Sequence, residues 1–196
     1  MRVIVKPSIF FLVFACLLAA ARPARAQSVA QPKSWNVTPF LNASMGLGNP
    51  DLFADGTPND SMGLGVAVGY DWTANLGFEG EVGHLFDVAG DTDDIDWSIT
   101  SFSANALYHF DMRRVTPYAT FGLGMERSSA ELRVDDPLED ALDPSATEFS
   151  FNFGGGVKYP ISGRMLARVD LRRFQANDLA PDYWRVYGGL TFAVGR

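Results

Sequence analysis

The sequence predicts an all-β fold: eight antiparallel strands closed into an up-and-down transmembrane β-barrel behind a cleaved signal peptide. Three observations lead there. Apolar and polar residues alternate with period two along almost the whole chain after residue 26, and the connections between these stretches alternate between short and long. No later segment has the run of about 18 apolar residues that a membrane-spanning helix needs, so a membrane would have to be crossed by strands.

The elements follow in chain order. Arg2 and Lys6 form a positive n-region, Ile9 to Ala21 an apolar h-region, and Ala24-Arg25-Ala26 before Gln27 a small-x-small cleavage site. Residues 1–26 are therefore expected to be an export signal, 27–34 a lead-in and 35–196 the barrel domain. A lipobox at Val13-Phe14-Ala15-Cys16 is the weaker alternative, because Phe14 is bulky and the apolar run continues past Cys16. Cleavage removes four of the 16 basic residues and none of the 23 acidic ones, moving the net charge from -7 to -11. So acidic a chain argues against nucleic acid as a partner. The single cysteine, Cys16, leaves with the signal, so no disulfide is expected.

Strict alternation is clearest from Ser61 to Trp72, where Met62, Leu64, Val66, Val68, Tyr70 and Trp72 oppose Ser61, Gly63, Gly65, Ala67, Gly69 and Asp71. Leu76 to Phe86, Thr147 to Tyr159 and Trp184 to Val194 repeat it, and Asn36–Gly48, Trp97–Phe110, Pro117–Glu126 and Met165–Arg173 do so more weakly. Asp71–Asn75, Asp111–Thr116 and Pro160–Arg164 are expected to be tight turns. Asn49–Asp60, Asp87–Asp96, Arg127–Ala146 and Phe174–Asp182 are expected to be long polar loops at the other end. That asymmetry is the pattern of outer-membrane barrels, with short periplasmic turns and longer outer loops. Pro39, Pro117 and Pro160 are expected near strand ends on the turn side, where a missing ladder donor costs least.

The two faces carry different chemistry. Tyr70, Trp72, Tyr108, Phe110 and Tyr159 on the turn side, with Phe86, Trp97 and Trp184 on the loop side, are the candidate aromatic girdles of a lipid-facing surface. The opposite parity holds Glu79, Glu81, Glu126, Glu148, Lys158, Arg168, Asp170, Arg172 and Arg185. In a barrel of eight strands these side chains fill the lumen, where Glu79 and Glu81 are expected to face Arg168, Arg172 and Arg185 as a polar plug. A soluble ligand-binding barrel would turn the apolar parity inward, and leaves the belts of Trp and Tyr unexplained.

Ser103-Ala104-Asn105-Ala106-Leu107-Tyr108-His109-Phe110, Thr116-Pro117-Tyr118-Ala119-Thr120-Phe121-Gly122-Leu123-Gly124 and Tyr187-Gly188-Gly189-Leu190-Thr191-Phe192 resemble the small OmpA-like outer-membrane β-barrel proteins of Gram-negative bacteria. The resemblance covers essentially the whole chain after the signal and implies an outer-membrane location in the Gram-negative envelope. It also implies recognition by the outer-membrane assembly machinery through a C-terminal signal, here Gly189, Phe192 and Val194, although the chain departs from the family by ending on Arg196 rather than an aromatic residue.

Function is less constrained than architecture. The leading expectation is a structural or surface-interaction protein, monomeric, with a closed polar lumen and long acidic loops. Its expected partners are outer-membrane lipid and lipopolysaccharide, whose phosphates divalent cations would bridge to carboxylates such as Asp55, Asp60, Asp87, Asp135, Asp136, Glu139, Asp140, Asp143 and Asp182. Alternatives are a narrow channel for water or small ions and a membrane-embedded lipid-modifying enzyme. Neither catalytic residues, nor a cofactor, nor a resident metal is expected. His84 and His109 have opposite parity, and Asp91–Asp96 lacks the glycine and terminal glutamate of a calcium loop. Gly154-Gly155-Gly156 opens no helix and is expected to be strand. A closed barrel should fractionate with the outer membrane and change its mobility on an SDS gel when boiled; a soluble protein without that shift would turn the sheet inside out.

Overall fold

A computed structural model of the protein describes residues 32–45, 61–86, 95–110, 112, 115–132, 145–176 and 182–194, apart from the side chains of 95–97, 130–132 and 176. Eight strands run β1 Ser34–Met45, β2 Met62–Asp71, β3 Leu76–Phe86, β4 Ile95–His109, β5 Thr116–Leu132, β6 Ser145–Ser162, β7 Met165–Ala176 and β8 Tyr183–Val194. Each pairs antiparallel with the next, and β8 returns to β1, so the sheet closes as a barrel in chain order. Among the described residues no helix is long and apolar enough to cross a membrane.

The register fixes the barrel's shape. Following paired residues from Ser34 through Asp71, Gly77, Leu107, Thr120, Gly154, Arg172 and Arg185 returns to β1 at Ser44, ten residues beyond the start. A stagger of that size over eight strands tilts them by about 40° to the axis and leaves an interior that side chains can fill. Each register row therefore climbs toward the loop end as it passes from β2 to β8.

The pleat sorts the side chains. Leu41, Leu64, Val66, Val68, Val82, Phe121, Leu123, Phe151 and Leu190 lie exposed on the outside, while Asn36, Thr38, Glu79, Glu81, Asn105, Arg172 and Arg185 are buried within. This polarity inverts that of a water-soluble protein, whose buried residues are mostly apolar. Hydrocarbon is the solvent that suits such a wall, and it demands closure, because an open edge would leave backbone N–H and C=O groups unpaired.

One inward residue breaks the pattern for a local reason. Phe40 pairs across to Gly65 on β2 and Gly189 on β8. A Cβ added at Gly65 would lie 2.4 Å from its ring and one at Gly189 3.0 Å from its Cβ, so the two glycines make the space that this ring fills. The edge of the ring meets Tyr187 at a centroid distance of 5.0 Å.

The structure corrects several boundaries. Pro39 lies in the middle of β1 and not at its end; the β1–β8 ladder runs from Trp35 to Val37, skips Thr38 and Pro39, and resumes at Phe40. Proline has no N–H to give to β8. Just inside this gap the hydroxyls of Thr38 and Thr191 bond each other at 2.8 Å, tying the seam together. β5 and β6 pair beyond the expected strand ends, so that Arg127–Leu132 and Ser145–Ala146 are strand and only 133–144 of that loop lies outside the described residues. β6 also continues through Pro160 to Ser162, with a register shift between these two, and Met165 opens β7. Thr73 holds the β2–β3 turn, its hydroxyl accepting the backbone N–H groups of Asn75 and Leu76.

Val66 points outward near mid-height of the wall. Val66→Arg should therefore destabilise the barrel in phospholipid by about 2–4 kcal/mol, read from urea unfolding in vesicles, whereas Ser129→Arg at the rim should cost much less.

Candidate functional site

Alternation along β3, β7 and β8 places the ionisable residues in stacked layers inside the barrel. The central layer is built on two arginines of β7. Arg168 gives a forked pair of bonds to Glu79, one of them to Oε1 at 3.0 Å, and its Nε donates to the Tyr118 hydroxyl at 2.7 Å and to Asp170 Oδ2 at 3.0 Å. Arg172 donates to Glu81 Oε2 at 2.9 Å, Glu79 Oε1 at 3.2 Å and Asp170 Oδ2 at 3.0 Å. Tyr187 completes the layer, its hydroxyl donating to Glu81 Oε1 at 2.9 Å. Gly156 makes room for this layer: a Cβ there would lie 2.1 Å from Asp170 Oδ1 and 2.6 Å from the Tyr118 hydroxyl.

Arg185 departs from the expected plug. It pairs in register with Arg172, which puts two cationic residues on neighbouring strands at one level of the sheet. Their repulsion favours separate anions. Arg185 therefore occupies a higher layer, where it donates to Ser101 Oγ at 2.7 Å and to the Tyr183 hydroxyl, lies 3.9 Å from Glu126, and reaches Glu81 only through Tyr187. Tyr183 in turn donates to Glu126 Oε1 at 2.6 Å. The Arg185 guanidinium also stacks 4.3 Å from the Phe174 ring, a contact that suits a planar, weakly hydrated cation.

Toward the turns, Lys158 Nζ lies 3.0 Å from His109 Nε2 and over the Tyr118 ring, while Asn36 and Asp71 meet at 3.4 Å. Toward the loops the lumen becomes apolar: Leu85, Ile99, Phe174 and Tyr183 are all buried there, and the last two rings stack at 5.3 Å. A crevice between Thr38, Phe40, Glu81, Arg168, Asp170 and Tyr187 has no room for a water molecule. Glu148, the remaining lumen candidate, is only half-buried at the rim. Sequence reasoning missed Tyr118, Tyr183 and Ser101 as members of the network. Their parity signals an inward position, but nothing in the sequence specifies their partners.

On the outer wall Tyr70, Trp72, Tyr108, Phe110 and Tyr159 lie toward the turns and Phe86 and Trp184 toward the loops; the Trp97 side chain is outside the described residues. Trp35 joins the turn-side ring by packing on Tyr70 at 4.9 Å. Of the proposed assembly residues, Phe192 and Val194 face outward on β8 beside Val37 and Trp35, and Gly189 lies against Phe40. Among the loop carboxylates, Asp55, Asp60, Asp87, Asp135, Asp136, Glu139, Asp140 and Asp143 lie outside the described residues, as do Asp91–Asp94. Asp182 is engaged by Arg173 and Gln175, each at 3.1 Å. His84 bonds Thr100 at 2.9 Å on the outer face, and His109 bonds Lys158 in the lumen, so no described contact joins a histidine to a serine. The described residues contain no group of three or more potential metal ligands.

An apolar wall, a polar interior and a sheet without edges define an integral outer-membrane β-barrel. The comparisons agree: the model of the outer membrane protein beta-barrel domain family matches residues 12–193, beginning inside the expected export signal, and the chain belongs to that family. This membership places it in the outer membrane of the Gram-negative envelope. Solved structures share the fold at low identity. Neisserial surface protein A is 16% identical, with a TM-score of 0.58 over 82% of this chain and 96% of its own. The N-terminal β-barrel domain of Pseudomonas aeruginosa OprF is 19% identical, at 0.54 over 83% and 98%. Ail, the attachment invasion locus protein of Yersinia pestis, solved with the heparin analogue sucrose octasulfate, is 12% identical, at 0.58 over 84% and 100%. No curated protein matches the sequence.

The central layer is costly to break from one side only. Glu79→Ala leaves two buried guanidinium groups short of an anion and should cost about 3–5 kcal/mol in urea unfolding, whereas Glu79→Gln with Arg168→Met, which removes both charges, should cost markedly less.

Proposed function

We propose that this protein is a non-catalytic, monomeric barrel of the outer membrane that acts through its surface and stiffens the membrane around it, with a lumen that does not conduct. One observation carries the closed lumen: the inside is filled twice over, by the Glu79, Glu81, Arg168, Arg172 and Asp170 layer at mid-height and by the apolar Leu85, Ile99, Phe174 and Tyr183 cap toward the loops. An ion crossing this path would first break forked ion pairs and then desolvate against hydrocarbon side chains. The loop carboxylates, with divalent cations bridging them to lipopolysaccharide phosphates, are the proposed means of holding the neighbouring lipid. Residues 1–26 are proposed to be removed on export, with Gly189, Phe192 and Val194 read by the assembly machinery.

A narrow water path is the second reading. It is favoured by buried polar atoms with no partner among the described residues, among them both side-chain polar atoms of Asn42, Oε2 of Glu126 and Oδ1 of Asn152. Such atoms in native proteins are commonly met by ordered water.

Planar-bilayer recording separates the two readings from an ion pore. The intact protein should be silent, and Glu79→Gln should stay silent because the apolar cap persists; only Glu79→Gln combined with Ile99→Ser and Phe174→Ala, which opens both barriers, should introduce small steps. Reproducible steps from the unaltered protein would overturn the proposal. Osmotic swelling of vesicles without ionic current would favour the water path.

A further inference from the structure

The outer wall of β4, β5 and β6 changes character abruptly at one height. Phe102, Met125 and Phe149 pair side by side as exposed apolar residues. One outward step higher, Thr100, Arg127 and Thr147 form the next row, and above them Ser98, Ser129 and Ser145 the next. Two residues at about 3.3 Å each, on strands tilted by about 40°, raise each row by about 5 Å. A guanidinium and a set of hydroxyls thus stand directly on the loop-side edge of the lipid-facing belt, at the level of the outer-leaflet headgroups.

Arg127 is exposed, and its Nη2 makes one long contact, 3.4 Å to Ser145 Oγ. Among the described residues no carboxylate lies within ion-pair distance of it. Another outward arginine at this end, Arg173, is neutralised by Asp182 and lies over Trp184. On β1 and β2 the corresponding rim carries Met45 and Met62. The wall is therefore asymmetric, with its cation and hydroxyls gathered on β4–β6 in a chain whose net charge is -7.

We propose that Arg127, with Thr100, Thr147, Ser129 and Ser145 around it, is a docking site for the phosphate of a phosphorylated glycolipid in the outer leaflet, its acyl chains lying along Phe102, Met125 and Phe149. Guanidinium suits a phosphate because two N–H groups meet two oxygens, and the neighbouring hydroxyls can donate to the third. Near hydrocarbon the screening that weakens exposed ion pairs is reduced. The site rests on the outer-membrane location alone and needs neither the acidic loops nor divalent cations.

The test uses the full chain refolded in detergent micelles with EDTA present, so that cation bridging at the loops is absent. Bisphosphorylated lipid A, dephosphorylated lipid A and inorganic phosphate are the probes, and lipid retained after gel filtration is the readout. The intact protein should retain the phosphorylated form, Arg127→Ala roughly tenfold less, Arg127→Lys an intermediate amount, and Arg164→Ala, in the turn at the opposite end, as much as the intact protein. A boiled and unboiled gel confirms that each variant is closed, and Thr147→Ala supplies a second, milder lesion. Equal retention by Arg127→Ala, equal retention of dephosphorylated lipid A, or displacement of the lipid by millimolar inorganic phosphate would each overturn the proposal.

Discussion

Hydrocarbon offers no hydrogen bond, and the rest of this structure depends on that. Every N–H and C=O within the bilayer must find a partner in the sheet, so β8 must return to β1, and the returning register then sets stagger, tilt and bore together. The closing seam is also where the ladder is imperfect. Pro39 withholds a donor, and the lapse is compensated by the Thr38–Thr191 hydroxyl pair and by Phe40 lodged against Gly189. Side chains reinforce closure where the backbone cannot.

The narrow bore has a second consequence. Inside it the arginines, carboxylates and tyrosines are close-packed and almost without solvent, so their arrangement is decided by which partners can be reached. Forked bonds tie β7 to β3 straight across the lumen, while Arg185 is diverted upward because Arg172 stands beside it in register. Buried ion networks of this kind are poor evidence for net stability, since an apolar filling of the same shape can do as well. Their value here lies in specificity: one register satisfies the network, and a slip by one residue would turn its charges toward lipid.

The outer surface follows the same solvent logic in graded form. Aromatic side chains mark both edges of the belt, and polar groups reappear within one outward step of Met125 and Phe149. Fold membership says little about what such a barrel does, since the same wall serves many roles.

Much of this was legible in the chain alone. Period-two alternation depends only on the pleat, so strand number and the presence of two unlike faces are legible in the chain; Glu79, Glu81, Arg168 and Arg172 fall on one parity for that reason. Alternating connection lengths gave the up-and-down order. Position along a strand is less legible: composition puts Pro39 near an end whereas it stands in the middle, and β5 and β6 run on past their expected limits, because pairing between two strands continues wherever the partner does, whatever the local composition. Contacts between strands distant in sequence were decided only by the closed tertiary structure. The register row that joins Ser34 to Ser44 determines which cation meets which anion across the bore and which hydroxyls surround Arg127 on the wall, and that row exists only once the last strand has found the first.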